Sequence, residues 1–159
     1  MRRSTCDLCD EFESILQIAE AAFASFGGRH AFSGRIATIQ CPEDNSLVRE
    51  MVATDGRGQV LVVDGGGSLR RSLLGDQLAE KAVENGWEGI VINGAIRDVE
   101  ALAELDIGVM ALGVIPLKTK KTGLGSRALT VHFANVTFTP GHFLYADDNG
   151  LVVAPRALE

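Results

Sequence analysis

Short apolar strands alternate with short helical segments through the middle of the chain, and this alternation restricts the possible folds more than any other feature. Buried-type strands are predicted at residues 60–63, 89–92 and 107–112, with helices between them at residues 77–84 and 98–104. The pair Asn85-Gly86 is typical of a helix end. Because a strand, a helix and a second strand in succession normally form neighbouring parallel strands, we predict a βαβ-like central block.

The region before this block is predicted to be mainly helical. From Thr5, apolar residues recur at helical spacing as far as Phe23, with Thr5 or Asp7 as the cap, and the sequence at residues 26–29 should end this helix. A strand at residues 34–40 follows, and then a second helix that Asn45 can cap and that ends at residue 52.

After Gly113 the helical periodicity disappears. Residues 116–125 are rich in lysine, glycine and threonine without any period, so we predict a long exposed loop. Strands are predicted beyond it at residues 129–133, 136–138, 143–146 and 151–154, with turns at residues 139–141 and 147–150. A helix-rich first half thus precedes a strand-rich second half, and the predicted fold class is mixed α/β.

Composition favours one domain over residues 1–159, because a chain of 159 residues with 46% apolar content can build one good core. The net charge of −6 disfavours direct binding of nucleic acid. The longest apolar runs are far shorter than the roughly 20 residues of a membrane helix. The sequence after Arg2-Arg3 turns acidic instead of apolar, so we expect a cytoplasmic protein that does not enter a membrane.

The cysteine and histidine residues do not indicate a metal or redox site. Cys6 and Cys9 form a C-x-x-C pair, but neither a second ligand pair nor a preceding strand accompanies it, and we interpret both as small helix residues. His30, His132 and His142 are scattered without ligand spacing, so a histidine metal site is not expected.

A glycine-rich loop, Asp64-Gly65-Gly66-Gly67-Ser68, follows the strand at residues 60–63 and raises the possibility of nucleotide binding. The spacing argues against it, because Arg70 stands where the third glycine of G-x-G-x-x-G would be and no phosphate-loop lysine is present. We expect these glycines to allow close backbone packing. Since the loop follows a strand of the α/β block, we also expect it to lie near the ligand cleft.

A sharper candidate site combines Gly75-Asp76-Gln77-Leu78 with Arg97-Asp98, each at a turn into a predicted helix. The free N–H groups of the first turn suit a carboxylate. Arg97 offers a planar fork for a 2-oxo acid, Asp98 an oxygen ligand for a hard cation, and Asp76 a second carboxylate. Taken one at a time, however, the simpler interpretation is that both aspartates favour helix starts and that Arg97 is a surface cation.

The spacing of Asp76, Arg97 and Asp98 follows the pattern D-x20-R-D, which resembles the active-site signature of the 4-hydroxy-4-methyl-2-oxoglutarate aldolases. The surrounding segments resemble the regulator of ribonuclease E activity A-like family, and the resemblance covers nearly the whole chain. The segments that carry it are residues 7–10, 26–29, 43–45, 60–68, 87–89, 106–108 and 145–147.

This resemblance implies a fold, an assembly and an activity. The fold would be a β/β/α three-layer domain of the swivelling-domain type that forms a homotrimer. The activity would be that of a class II, divalent-metal-dependent aldolase that cleaves 4-hydroxy-4-methyl-2-oxoglutarate to pyruvate and also decarboxylates oxaloacetate. Arg97 and the backbone of Gly75, Asp76, Gln77 and Leu78 would bind the substrate, Asp98 would ligate Mg²⁺ or Mn²⁺, and Asp76, Arg97 and Asp98 would be the catalytic residues.

Two alternatives stay open at this point. Other members of the family are protein inhibitors of ribonuclease E, so the chain could bind that enzyme without any catalytic role. The presence of Asp76, Arg97 and Asp98 favours the aldolase. The second alternative is Schiff-base catalysis by a lysine. Lys118, Lys120 and Lys121 are expected to be solvated, which disfavours it. Longer aldolases also use acidic residues from a neighbouring subunit's C-terminal extension.

Overall fold

The computed structural model describes residues 1–20 and 23–159. The α-helices in this part of the chain are Thr5–Phe12 (α1), Ser46–Val52 (α2), Asp76–Glu84 (α3) and Val99–Leu102 (α4), and a 3₁₀ turn covers Glu13–Ile15. The strands are Gln17–Ile18 (β1), Ala24–Ser25 (β2), Phe32–Gln40 (β3), Gln59–Asp64 (β4), Gly89–Ile96 (β5), Gly108–Val114 (β6), Ser126–Arg127 (β7), Val131–Phe133 (β8), Val136–Phe138 (β9), Phe143–Asp147 (β10) and Gly150–Ala154 (β11).

One large mixed sheet organises these elements. Its strands lie in the order β1-β11-β10-β3-β4-β5-β6-β2, and β7 pairs with part of β3. The four central strands β3, β4, β5 and β6 are parallel, which confirms the βαβ-like block. Strands β4 and β5 are buried almost throughout on both faces, as continuous apolar runs in parallel strands require. The antiparallel strands β10, β11 and β1 extend one side of this block.

The two faces of the sheet are covered differently. Helices α2, α3 and α4 pack on one face through a core that includes Val48, Ala82 and Leu102. The hairpin β8-β9 packs on the other face, where Phe133 and Phe138 stack with ring centroids 4.4 Å apart. Helix α1 packs on the antiparallel end through Leu8. Among the described residues, no helix has both the length and the apolar character needed to span a bilayer.

The predicted N-terminal helix is wrong in length and in its cap. Helix α1 ends at Phe12, and the chain then forms β1, in which Gln17 pairs with Val153 of β11. The side chain of Ser4 caps the helix by accepting a hydrogen bond from the Asp7 amide, whereas Thr5 binds Asp147. Two residues of the predicted helix, 21 and 22, lie outside the described part of the chain.

The other differences concern where elements begin and end. Strand β5 continues past residue 92 to Ile96, with a register shift relative to β6 between Ile92 and Ala95. Helix α4 begins after Asp98 and ends at Leu102, so it is shorter than predicted. The strand predicted at residues 129–133 begins only at Val131.

The predicted exposed loop at residues 116–125 is only partly exposed. Thr119 is buried, and isolated bridges join Lys118 to Ser72 and Lys120 to Asp44. The loop is therefore attached along its length to the body of the molecule. The side chains of Lys118, Lys120 and Lys121 themselves are exposed, as expected.

Candidate active site

A cavity of about 450 Å³ opens at the edge of the sheet where β5 ends. Ligand sites of α/β sheets are expected beyond the carboxyl ends of the parallel strands, and this cavity has that location. Its walls come from four segments: helix α2, the chain before and into α3, the residue after β5, and the loop after β6. The lining residues are Asn45, Arg49, Ser72, Gly75, Asp76, Gln77, Leu78, Arg97, Lys118 and Lys121.

The two segments predicted from sequence do meet at this cavity. The backbone amide of Asp76 donates a hydrogen bond of 3.0 Å to Oδ2 of Asp98, and the Arg97 amide donates to the carbonyl of Leu74 at 2.9 Å. Gly75 makes this approach possible, because a Cβ at its position would lie 2.6 Å from Oδ2 of Asp98. The start of α3 and the end of β5 are thus fixed to each other.

Asp98 has the left-handed backbone conformation, with φ of 59° and ψ of 42°. Aspartate tolerates this region better than most residues, but it still costs free energy in a side chain with a Cβ. This conformation ends the path of β5 and turns the chain into α4, while the carboxylate reaches back to α3. Arg97 and Asp98 are each about one-third exposed, with Arg97 Nε 3.8 Å from Asp98 Oδ2.

The amides at the start of α3 are only partly free to bind a ligand. The Asp76 amide binds Asp98, and the Gln77 amide donates to Oδ1 of Asp76 at 2.8 Å. Within the described residues, the amides of Gly75 and Leu78 have no hydrogen-bond acceptor. The predicted anion site at residues 75–78 therefore offers fewer free backbone amides than the four that the sequence suggested.

Three cations that were not assigned to the site also line the cavity. Arg49 comes from α2, and Lys118 and Lys121 come from the loop after β6. Together with Arg97 they place four positive groups around the cavity, against the single lining carboxylate of Asp76. In a chain of net charge −6, this local excess of positive charge is suited to an anion with more than one carboxylate.

The glycine-rich loop at residues 65–67, which was expected near the cleft, does not line this cavity. Gly66 faces a separate depression with Pro42 and Ser126. The loop amides are already used: Gly65 and Gly67 donate to the carbonyl of Asn93, and Gly66 donates to Asp64. With its N–H groups engaged, the loop has little capacity to bind phosphate.

The donor atoms at the cavity fit a hydrated hard cation. Asp76 and Asp98 each keep one carboxylate oxygen without a hydrogen bond to the described residues. No group of three or more His, Cys, Asp or Glu side chains with metal-binding geometry occurs in residues 1–20 and 23–159. Mg²⁺ and Mn²⁺ accept one or two carboxylates with water in the remaining positions, whereas a structural zinc site needs four protein ligands.

The cysteines and histidines lie away from the cavity. Cys6 is exposed and Cys9 partly buried on α1, both as free thiols. Burial raises the pKa of the Cys41 thiol to about 12, so it is protonated at neutral pH. His30 contacts Asp148 on the surface.

The sequence also matches a known protein family. The RraA-like family model, described as Aldolase/RraA, matches residues 5–153. The chain belongs to the RraA-like family. A protein of Pseudomonas aeruginosa provisionally named 4-hydroxy-4-methyl-2-oxoglutarate aldolase is 58% identical over 100% of this chain and 98% of its own length. An Azotobacter vinelandii protein of the same provisional name is 57% identical over the same shares.

Solved structures of the RraA-like fold match the chain closely. A Geobacillus kaustophilus protein described as an S-adenosylmethionine:2-dimethylmenaquinone methyltransferase is 49% identical, with a TM-score of 0.97 over 98% of this chain and 97% of that one. The RNA-processing inhibitor RraA of Thermus thermophilis is 45% identical, with a TM-score of 0.96 over 100% and 96%. The resemblance inferred from sequence is thereby confirmed, and so is a mixed α/β fold.

Proposed function

We propose that this chain is a divalent-metal-dependent aldolase that cleaves 4-hydroxy-4-methyl-2-oxoglutarate to pyruvate and also decarboxylates oxaloacetate. The observation that carries the proposal is that four cations and the Asp76 carboxylate line one cavity, while the Asp98 carboxylate accepts a hydrogen bond from the amide of Asp76. Its relatives named as aldolases support the reaction class. A site for an inhibitor that acts by protein contact alone would not need this arrangement.

Substrate binding follows from the charges. Both proposed substrates carry two carboxylates, and Arg97 presents a planar guanidinium that suits the carboxylate next to the keto group. The unpaired amide of Leu78 can donate a further hydrogen bond to the same group. Arg49, Lys118 and Lys121 then remain to neutralise the second carboxylate.

The reaction breaks the bond between C3 and C4, and its electron pair passes to the 2-oxo group. In aldol cleavage the C4 hydroxyl must also lose its proton, and Asp76 is the cavity carboxylate that can accept it, directly or through a water. Decarboxylation of oxaloacetate breaks the equivalent bond without that proton transfer, so one site can perform both reactions. Held by Asp98 and close to Asp76, Mg²⁺ or Mn²⁺ would supply Lewis acidity toward the keto oxygen.

Schiff-base catalysis is the mechanistic alternative. The position of Lys118 and Lys121 at the cavity supports it. Both lysines are exposed, however, whereas an activated amine is commonly desolvated in an apolar pocket. If the metal mechanism holds, borohydride added during turnover with pyruvate leaves the protein mass unchanged. A gain in mass that maps to either lysine would replace the metal mechanism.

The first prediction contrasts two neighbouring residues by their response to metal. Arg97→Lys keeps the charge but loses the fork, so kcat/KM should fall roughly ten- to a hundredfold and excess metal should not restore it. Asp98→Asn keeps the left-handed backbone but loses a charged ligand, so the metal requirement should rise and added Mn²⁺ should recover part of the rate. Each variant is freed of metal with a chelator and then titrated with Mg²⁺ or Mn²⁺. The rate of pyruvate release from both substrates measures its metal response.

The assigned roles are wrong if Arg97→Lys is cured by excess metal, or if Asp98→Asn retains the wild-type rate and metal response. Circular dichroism of each variant controls for loss of fold. Wild-type protein that releases no pyruvate from either substrate, with or without metal, contradicts the proposed function itself.

The likeness to the RNA-processing inhibitor RraA favours a second candidate function, inhibition of ribonuclease E by protein contact. Binding to ribonuclease E and metal-dependent catalysis would use different residues, so the two functions can coexist on this fold. Asp98→Asn separates them: the variant should lose lyase activity and keep any inhibition of ribonuclease E. Loss of both in a folded variant would count against separate sites.

We further propose that the chain forms a homotrimer of β/β/α three-layer domains. The packing of α2, α3 and α4 on one sheet face and of hairpin β8-β9 on the other supports the three-layer description. Exposed Leu69, Val114 and Leu117, each at least half exposed, support an interface near the cavity. An interface there would put a neighbouring subunit close to Lys118.

A further inference from the structure

The turn between β3 and α2, residues 43–45, contacts two segments that contribute residues to the cavity, the chain between β4 and α3 and the loop after β6. Glu43 holds the loop after β4, Asp44 holds the loop after β6, and Asn45 connects the two. We call these three residues the β3-α2 turn.

Asp44 is the most heavily hydrogen-bonded carboxylate of this turn. It is 2% exposed, and its Oδ2 accepts hydrogen bonds from the amide of Thr122 at 2.8 Å, from the Thr122 hydroxyl at 2.6 Å and from the amide of Leu124 at 3.2 Å. Its Oδ1 accepts from the amide and the hydroxyl of Ser46. Burial alone would raise the pKa of Asp44, but the hydrogen bonds from Ser46 and Thr122 outweigh it and keep the pKa well below its usual range.

Asn45 fastens the same loop at a second point. The Thr119 hydroxyl accepts a hydrogen bond from the backbone amide of Asn45 at 3.1 Å and donates one to its side-chain oxygen at 2.7 Å. The side-chain NH₂ of Asn45 donates to the carbonyl of Leu73, just before the start of α3. Thr119 precedes Lys121 and Thr122 follows it, so the fastening points bracket this cavity lysine.

The loop needs such external support. Gly123 and Gly125 have positive φ, and the segment contains three lysines whose charges repel one another. Its own backbone forms no helix and no long strand. Without a fixed anchor, the entropy of this segment and the repulsion from Arg49 and Arg97 both favour movement of the lysines away from the cavity.

We propose that Asp44 is a positioning residue, whose buried carboxylate holds the 120–124 segment so that Lys121 faces the cavity. The proposal rests on the proposed function, because it assumes that Lys121 binds the second carboxylate of the substrate. Asp44 itself does not line the cavity and acts through the loop. Its loss should therefore weaken substrate binding more than turnover.

The first test measures the loop directly and needs no activity. Asp44→Asn leaves one acceptor oxygen, so the new NH₂ group would face either the amides of Thr122 and Leu124 or the amide of Ser46. Either orientation weakens the attachment, so trypsin cleavage after Lys118, Lys120 or Lys121 should accelerate about tenfold or more. Cleavage sites are identified by mass spectrometry under native conditions. Asp55→Asn is the matched control, because Asp55 is also hydrogen-bonded but only to residues of its own exposed turn.

The second test asks whether Asp44 acts through Lys121. In the wild-type background, Asp44→Asn should raise KM for 4-hydroxy-4-methyl-2-oxoglutarate about tenfold with a smaller change in kcat. In a Lys121→Met background, the same substitution should have a clearly smaller effect on KM, since the group that it positions is gone.

Asp44→Asn could unfold the chain, and the pair Thr122→Val and Thr122→Ser avoids this problem. Thr122→Val should reproduce the cleavage and KM effects in weaker form, and Thr122→Ser should keep wild-type behaviour.

Each result decides the proposal. Unchanged loop cleavage in folded Asp44→Asn and Thr122→Val overturns it, and so does a KM effect of the same size with and without Lys121. Faster cleavage with no change in KM also overturns it, because the loop would then be held for a reason unrelated to the cavity. If wild-type protein cleaves no 2-oxo acid, the proposed function fails, while the cleavage assay still shows whether Asp44 holds the loop.

Discussion

Asp98 meets two demands that few residue types can meet together. Its backbone has positive φ, and its carboxylate accepts a hydrogen bond from the start of α3. Alanine would remove the acceptor and is less favourable at positive φ, whereas asparagine tolerates the backbone and keeps an acceptor oxygen. Asp98→Asn therefore tests the charge of the side chain, and Asp98→Ala would mix that effect with backbone strain.

Gly75 provides the second prediction. A Cβ at this position would lie 2.6 Å from Asp98 Oδ2 and 3.2 Å from Arg97 Nε, so Gly75→Ala must push both groups out of place. Displacement of reacting groups by about 1 Å can cost roughly a hundredfold in rate, and we expect a loss of kcat/KM on that order. Steady-state kinetics at saturating Mn²⁺ measures it, with thermal unfolding as a check on the fold.

Gly113→Ala is the control for that substitution. A Cβ there would meet only the flexible end of exposed Leu69, at 3.2 Å, and activity should change little. If Gly75→Ala keeps the wild-type rate, the contact between the start of α3 and Asp98 has no part in catalysis.

Some site residues were predictable and others were not, for a physical reason. Arg97 and Asp98 directly follow β5, and Asp76 begins the helix between β4 and β5, so their common edge follows from the βαβ topology. Arg49 looks like any cation on the exposed face of a helix. Only the packing of α2 beside α3 brings it to the cavity, and the sequence carries no local sign of that contact.

The same distinction applies to helices and strands. The central strands were located because burial on both faces leaves a continuous apolar run. The first helix was predicted too long because Leu16 and the residues after it continue its apolar spacing. In the structure β1 instead supplies backbone hydrogen bonds to the edge of β11, which periodicity does not reveal. The loop at residues 116–125 was predicted to be exposed because its attachment depends on buried Asp44 and Thr119, which are distant in sequence.

Helix α1 gives the third prediction, which concerns pH. Burial would raise the pKa of Asp147, but the hydrogen bonds from Thr5 and Asn149 outweigh it, so the pKa is lowered overall. A carboxylate whose pKa is lower in the folded state stabilises the fold above its unfolded pKa of about 3.9 and loses that effect as pH falls further. Asp147→Asn should lower the free energy of unfolding at pH 7 by about 1–3 kcal/mol and make it less sensitive to acid below about pH 4.

Urea denaturation at a series of pH values measures both effects. Asp148→Asn is the control, because Asp148 is exposed and contacts only the surface residue His30. An acid sensitivity of Asp147→Asn equal to that of wild type would show that the contact between α1 and β10 is not a source of acid unfolding.

Assembly of whole chains gives a further prediction. We expect light scattering to report three times the chain mass of 16.9 kDa at micromolar concentration. Leu117→Glu places a charge among the exposed apolar residues beside the cavity and should shift the species toward monomer and reduce activity. Ile18→Glu, also at a half-exposed apolar position but on β1, should leave the mass unchanged. A stable wild-type monomer would contradict both the trimer and a site at a subunit boundary.

The pairing of β3 with β10 has a consequence for how the chain is made. Strand β3 lies early in the sequence, but its antiparallel neighbour β10 follows about a hundred residues later. During synthesis on the ribosome, one side of β3 therefore stays without its partner until the C-terminal hairpin has left the exit tunnel. A strand edge exposed for that time can pair with other nascent chains. Recovery of this protein from cells should therefore depend on chaperone capacity more strongly than its stability after folding would suggest.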